Sequence, residues 1–157
     1  MMSNDIIKGK IREALKLFIS KDKEHLLRVD IYEPAISHRI AVYLEKLFSD
    51  FNIDCEYNKA LLGNKRNVNG EKIRPDIIIH TRKTNEDNSV IFEVKKSGKK
   101  NKLSKADIEK LKRCMNGTLN YVLGVFIGIL KRNVYICWIE KNNNSILESW
   151  ENIWKKS

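Results

Sequence analysis

Apolar side chains recur at helical spacing from the start of the chain: Ile6, Ile7, Ile11, Ala14, Leu15 and Phe18 follow Ser3 and Asn4, two residues able to cap a helix. An amphipathic helix is predicted over residues 4–20, ended by the charged run Lys21-Asp22-Lys23-Glu24. A second helix is predicted to open near Glu33, because Pro34 is tolerated only in a first turn, and to run to about Phe48. Its inward stripe is Ile36, Ile40, Tyr43, Leu44 and Leu47, and stepping back from Ile36 by about one helical turn lands on Glu33 on the same face. A carboxylate is thereby aimed toward the core.

The period then changes. Ile53 to Tyr57 alternates as a short strand, and the polar stretch Asn58 to Arg74, with Gly63 and Gly70, reads as a loop. Asp76 to Thr81 and Val90 to Lys95 are β-branched-rich runs separated by the turn-like Arg82 to Ser89, the pattern of an antiparallel hairpin. A basic loop, Lys96 to Lys105, precedes a helix predicted over Asp107 to about Met115 with Ser104 as its cap, closed by Asn116-Gly117. Tyr121 to Leu130 and Val134 to Ile139 read as two further strands, and Ser145 to Trp154 as a short terminal helix. The order α-α-β-β-β-α-β-β-α predicts an α/β protein, a mixed β-sheet flanked by helices.

At 157 residues the chain matches one domain, with no repeat or linker to divide it. Its longest apolar run, Leu119 to Leu130, falls short of the roughly 20 residues of a membrane-spanning helix, and no signal-peptide pattern precedes Lys8. A soluble, cytoplasmic protein without a membrane partner is therefore expected. Cys55, Cys114 and Cys137 have no metal-binding or disulfide spacing and read as reduced packing residues. Charge changes the picture most: 30 Lys and Arg against 20 Asp and Glu give +10, which favours a polyanionic partner, nucleic acid above all. No P-loop or dinucleotide-binding glycine pattern is present.

Candidate chemistry lies in the predicted hairpin. Alternate residues of a strand share a face, so Glu93 and Lys95 point one way while Phe92 and Val94 pack on the other. Asp76 opens the neighbouring strand directly after Pro75 and can approach Glu93 if the strands pair. Adjacent carboxylates repel unless a proton or cation intervenes, and hard oxygen ligands without His or Cys select Mg2+ or Mn2+. Lys95 beside them is suited to orienting or activating a water, or to stabilising charge on a phosphate. Glu33 would be a third carboxylate for the metal or its water. Lys65, Arg66, Arg74, Lys96, Lys99, Lys100 and Lys102, from the loops flanking these strands, are the candidate phosphate contacts.

Pro75-Asp76, Glu93-Val94-Lys95 and the upstream helical Glu33 together resemble the PD-(D/E)XK, or restriction-endonuclease-like, nuclease superfamily. The resemblance implies a restriction-endonuclease-like fold over a core of about residues 33–139. It also implies a Mg2+- or Mn2+-dependent nuclease that hydrolyses phosphodiester bonds, chiefly in DNA, in which Asp76, Glu93 and Glu33 bind metal and Lys95 acts on the attacking water. Many members carry a Gln or Lys on the helix after this motif, a place Lys110 can fill. Because one small site cuts one strand, a homodimer is an expectation for double-strand or junction cleavage. The alternative is a nucleic-acid-binding module on the same fold that is non-catalytic or awaits a partner.

Overall fold

A computed structural model of the chain describes residues 2–58, 63, 65–82, 88–96, 103–143 and 145–157. Helix α1 (Asn4–Phe18) begins at Ser3, whose hydroxyl accepts from the Ile6 amide, and it buries Ile7, Ile11, Ala14, Leu15 and Phe18. The helix does not stop at Ser20. It passes through a π-helical turn (Ile19–Lys23) into α2 (Glu24–Arg28), so the charged run predicted to break the helix lies within one helical rod. Tertiary partners explain this: Asp22 accepts from Tyr43 Oη at 2.5 Å and from Arg39, and Lys23 Nζ donates to the Lys131 carbonyl at 2.9 Å. Lys and Glu are good helix formers, and Asp22, a poorer one, is held in the rod by Tyr43 and Arg39.

Helix α3 (Glu33–Leu47) starts with Pro34 in its first turn, as the sequence predicts, and buries Ile36, Ile40, Tyr43 and Leu44. Six strands follow around helix α4 (Leu103–Asn116): β1 (Asn52–Cys55), β2 (Ile77–His80), β3 (Val90–Lys96), β4 (Leu123–Ile129), β5 (Asn133–Asn142) and β6 (Ser145–Lys155). Ser104 lies inside the first turn of α4, so it is not the cap the sequence suggests.

The strands lie in sequence order, β1 to β6, in one sheet. All neighbours are antiparallel except β3 and β4, which are parallel and therefore need a crossover, supplied by α4. The protein is thus mixed α/β, a six-stranded mixed sheet with α1 and α3 on one face and α4 on the other. Each face has its own core: Phe18, Ile40, Phe92 and Trp138 belong to the first, Ile91, Leu111, Phe126 and Tyr121 to the second. No helix among the described residues is long and apolar enough to cross a membrane.

The predicted terminal helix is a strand instead. β6 pairs along β5 from Asn142 opposite Ser145 to Asn133 opposite Lys155, and Asn143 turns the hairpin with φ of 51°. Leu147, Trp150 and Trp154 have a helix-like spacing, but β5 is buried over Val134 to Ile139 and would leave an open, apolar edge without β6. Pairing that edge outweighs the local pattern. All three cysteines are free thiols, with Cys114 and Cys137 buried.

Candidate active site

The first ingredient is the β2–β3 register. Ile77 pairs with Phe92, and one step further places Asp76 opposite Glu93, with both side chains on the α4 face. Asp76 is fixed by its backbone environment: the Val94 amide donates to Asp76 Oδ2 at 2.7 Å. Glu93 lies at 2% exposure beneath α4. Burial, followed by the neighbouring Asp76 carboxylate, pushes the Glu93 carboxyl up from 4.5 to about 7. Burial raises Asp76 as well, against the Val94 amide, which lowers it. The pair therefore meets the expectation of two carboxylates that cannot both ionise cheaply.

Lysine 95 stands two residues along on the same face. Burial acts to lower its pKa, but the carboxylates of Asp107, Glu33, Asp76 and Glu93 outweigh burial and raise it. The side chain is consequently an ammonium at neutral pH, a donor and a positive charge, and has no free lone pair with which to take a proton. Glu33 approaches from the first turn of α3: its Oε2 accepts from the Lys96 amide at 2.7 Å, and its Oε1 lies 3.6 Å from Lys95 Nζ. Both oxygens of Glu33 are thus engaged at the end of β3, and its charge still contributes to raising Asp76.

Helix α4 adds two groups. Lys110 Nζ is 2.6 Å from Glu93 Oε1, a close charge-assisted contact that acts to lower the Glu93 pKa against burial. Asp107, one turn earlier, is raised by burial and opposed by Lys95 and Lys110. Asp107 was not among the predicted site residues; counting back one turn from Lys110 on the same helix face is the signal that finds it. The assembled group holds Glu33, Asp76, Glu93 and Asp107 against Lys95 and Lys110, an excess of negative charge inside a strongly basic protein.

Among the described residues no three His, Cys, Asp or Glu side chains are drawn together tightly enough to hold a metal ion as they stand. What the structure does offer is a pair. The donor set is all carboxylate, the type a hard divalent cation takes, and the buried Glu93 Oε1 is met by the Lys110 ammonium, a positive charge where such a cation would sit. Asp76 and Glu93 fit such an ion, while the expected third ligand, Glu33, is committed to Lys95 and Lys96.

The basic candidates divide. Arg66 and Arg74 are exposed, the first donating to the Gly70 carbonyl at 2.6 Å and the second 3.5 Å from Glu56. Lys96 is tied to Asp30 and to the Ile31 carbonyl. Lys65 corrects the sequence reading: at 1% exposure it cannot meet a phosphate, and its Nζ donates to Tyr121 Oη at 2.8 Å and Asn88 Oδ1 at 3.1 Å. Burial lowers its pKa to about 8. Polar partners from distant elements draw it inward, which composition alone does not reveal. Lys99, Lys100 and Lys102 lie outside the described residues. His80 is 2% exposed and bonds Asp54 at 2.8 Å.

Glu93 makes stability depend on pH. Its folded pKa of about 7 is above its ordinary 4.5, so its contribution is fully present below about 4.5 and is lost as pH rises through 7. A Gln at this position does not titrate. The stability of Glu93→Gln relative to the native chain is therefore expected to increase by about 2–3 kcal/mol between pH 4.5 and pH 8, measured by urea unfolding at each pH. An unchanged difference across that range would place the titration elsewhere.

No known protein family, no curated protein and no solved structure matches this chain.

Proposed function

We propose that this protein is a metal-dependent nuclease of the PD-(D/E)XK type, with a restriction-endonuclease-like fold, that hydrolyses phosphodiester bonds, chiefly in DNA. The observation that carries the reading is the meeting of Asp76 and Glu93 across β2 and β3, with the Lys95 ammonium on the same face. Asp76 and Glu93 would hold Mg2+ or Mn2+. Such an ion supplies Lewis-acid polarisation of a phosphoryl oxygen and a more acidic water.

The chain's own groups provide the rest. Lys95, kept charged by four carboxylates, donates to the attacking water or to a non-bridging phosphate oxygen and offsets negative charge as it develops there. It serves as an electrostatic and orienting group rather than as a base. Glu33 fixes Lys95 from α3 and, through the Lys96 amide, fixes the end of β3. Lys110 occupies Glu93 in the absence of a cation and is free to turn toward phosphate when a cation takes its place.

The test is cleavage of labelled duplex, single-stranded, flap and four-way-junction DNA with Mg2+, with Mn2+ and with chelator. Metal-dependent products support the proposal, and their distribution identifies the substrate. No product from any substrate with either metal rejects it.

A second reading has one observation in its favour. The 2.6 Å Lys110 contact already compensates Glu93, as it would in a nucleic-acid-binding module that needs no metal or acquires activity from a partner. DNA binding with no cleavage under every metal condition would select that reading.

A further inference from the structure

On the face of the sheet away from Glu93, the α1–α2 rod and the strand ends enclose a cavity of about 1010 Å3. Its floor is apolar, made by Ile19, Leu27, Ile129, Ile153 and Trp154. Its wall is cationic: Lys16, Lys23, Arg28, Lys96, Lys131 and Lys156 line it, with Glu24 the one acidic residue among the described lining. Lys16, Arg28, Lys131 and Lys156 are exposed and make no ion pair among the described residues.

Lys23 is the built part of this groove. It is 5% exposed, its Nζ sits 3.9 Å from the centre of the Trp154 ring, and its hydrogen bond is to the neutral Lys131 carbonyl. Burial first, and then the nearby Lys156 ammonium, lower its pKa, against Glu24, which raises it. The π-helical turn carries Ile19, Ser20 and Lys23 into this wall, and such turns occur frequently at functional sites.

Several separate cations around an apolar floor fit a ligand with repeated negative charges and flat apolar faces. A duplex presents phosphates but keeps its base faces stacked inside, so the floor would go unused. An acyl anion covers the floor but has one charge for the four exposed cations Lys16, Arg28, Lys131 and Lys156. An unpaired nucleic acid strand supplies both a phosphate at every step and a base face that stacks. Position agrees with this: Lys96 lines the groove, and Lys95, one residue earlier in β3 and on the opposite face, belongs to the candidate active site. Groove and site meet at the end of one strand.

We propose that this groove binds the unpaired end of a nucleic acid strand, with a base against the Leu27, Ile129 and Ile153 floor beside Trp154 and phosphates on Arg28, Lys131 and Lys156. Assigning that strand as the substrate's own rests on the nuclease reading; binding in the groove does not. The protein thereby belongs with frayed, flapped or single-stranded ends rather than with continuous duplex.

The experiment measures anisotropy of a dye-labelled four-residue oligothymidylate with the full chain in chelator, so that cleavage plays no part. Competitors are adenosine monophosphate, inorganic phosphate, blunt duplex and laurate. Arg28→Glu with Lys131→Glu, both at exposed positions, is expected to weaken oligothymidylate binding at least ten-fold. Lys72→Glu with Lys141→Glu, the same charge change placed away from the groove, should alter it less than three-fold, and Glu93→Gln should leave it intact. Equal loss in the two charge-reversed proteins would reduce the effect to net charge and overturn the proposal. Laurate binding without oligothymidylate binding, or the monophosphate or phosphate binding as tightly as the oligomer, would overturn it too. Loss of cleavage in Glu93→Gln with oligomer binding retained supports both assignments; oligomer binding by a native protein that never cuts removes the nuclease reading alone.

Discussion

Replacing Glu93 with Gln, or Lys95 with Ala, is expected to lower metal-dependent cleavage by at least about 100-fold while leaving DNA affinity within about three-fold. The two variants fail for different reasons. Glu93→Gln removes one of the two carboxylates able to hold the cation, so its Mn2+ affinity, read by calorimetry without DNA, should collapse along with activity. Lys95→Ala keeps the carboxylate pair and removes a positive charge that competes with a cation, so its Mn2+ affinity should be equal or higher while cleavage is lost. A protein in which Lys95→Ala cuts normally would have no use for the ammonium, and the proposed chemistry would fall.

The pH dependence follows from the same pair. A cation needs Asp76 and Glu93 ionised, and Glu93 binds a proton up to about pH 7 in the folded chain. Mn2+ affinity should therefore be weak at pH 5, rise through pH 7 and level off above it, with about one proton released per ion bound near pH 6. Activity limited by loading would rise over the same interval. An affinity flat from pH 5 to pH 8 would show that these carboxylates do not take the ion.

The second large effect concerns stability. Gly128 of β4 pairs with Tyr135 of β5, and a methyl group at Gly128 would fall 2.1 Å from Tyr135 Cζ and 2.5 Å from its hydroxyl. Tyr135 is 4% exposed, with Phe126 and Trp150 rings 6.1 Å and 5.8 Å from its own, so its ring has no nearby space in which to retreat. Gly128→Ala is expected to cost about 2–3 kcal/mol, and to lower Tm by roughly 5–10 °C in scanning calorimetry. Gly124 offers the milder comparison, since the side chain it would meet first is the flexible Met115, at 2.7 Å. The Tyr135 ring fills the space over Gly128.

Sequence and structure agree where a local rule and the tertiary demand coincide. Pro34 limits the start of α3, and the β-branched runs around Ile78 and Ile91 admit one pairing, so Glu33, Asp76, Glu93 and Lys95 arrive at the same end of β3. Face parity alone separates Lys95 from Val94. The failures have distant causes. Asp22 and Lys23 look like a helix break until Arg39, Tyr43 and the Lys131 carbonyl meet them. Lys65 looks solvated until Asn88 and Tyr121 close over it, from positions 23 and 56 residues away. Asp107 sits one turn from Lys110 in a predicted helix, and what the sequence does not show is Lys95, brought beneath it by the crossover. Of the candidate site, the carboxylate pair is legible; the engagement of Glu33 by Lys95 is not, since it depends on where α3 sits along the sheet.

The position of β6 has a consequence for how the chain comes to be folded. It follows β5 in the chain and is an outer strand of the sheet. During synthesis, β5 emerges with Val134, Tyr135, Ile136, Cys137, Trp138 and Ile139 in succession before any residue able to cover its edge. A nascent chain halted at that stage presents an uncharged, aromatic-rich strand with unpaired amides and carbonyls, the kind of segment that recruits copies of itself. Once β6 closes, the outermost backbone is carried by a strand bearing Glu148, Glu151 and Lys155, charges that discourage further pairing. The turn at Asn143 joins β5 to β6 directly, so the strand that protects this edge is the next one in the chain.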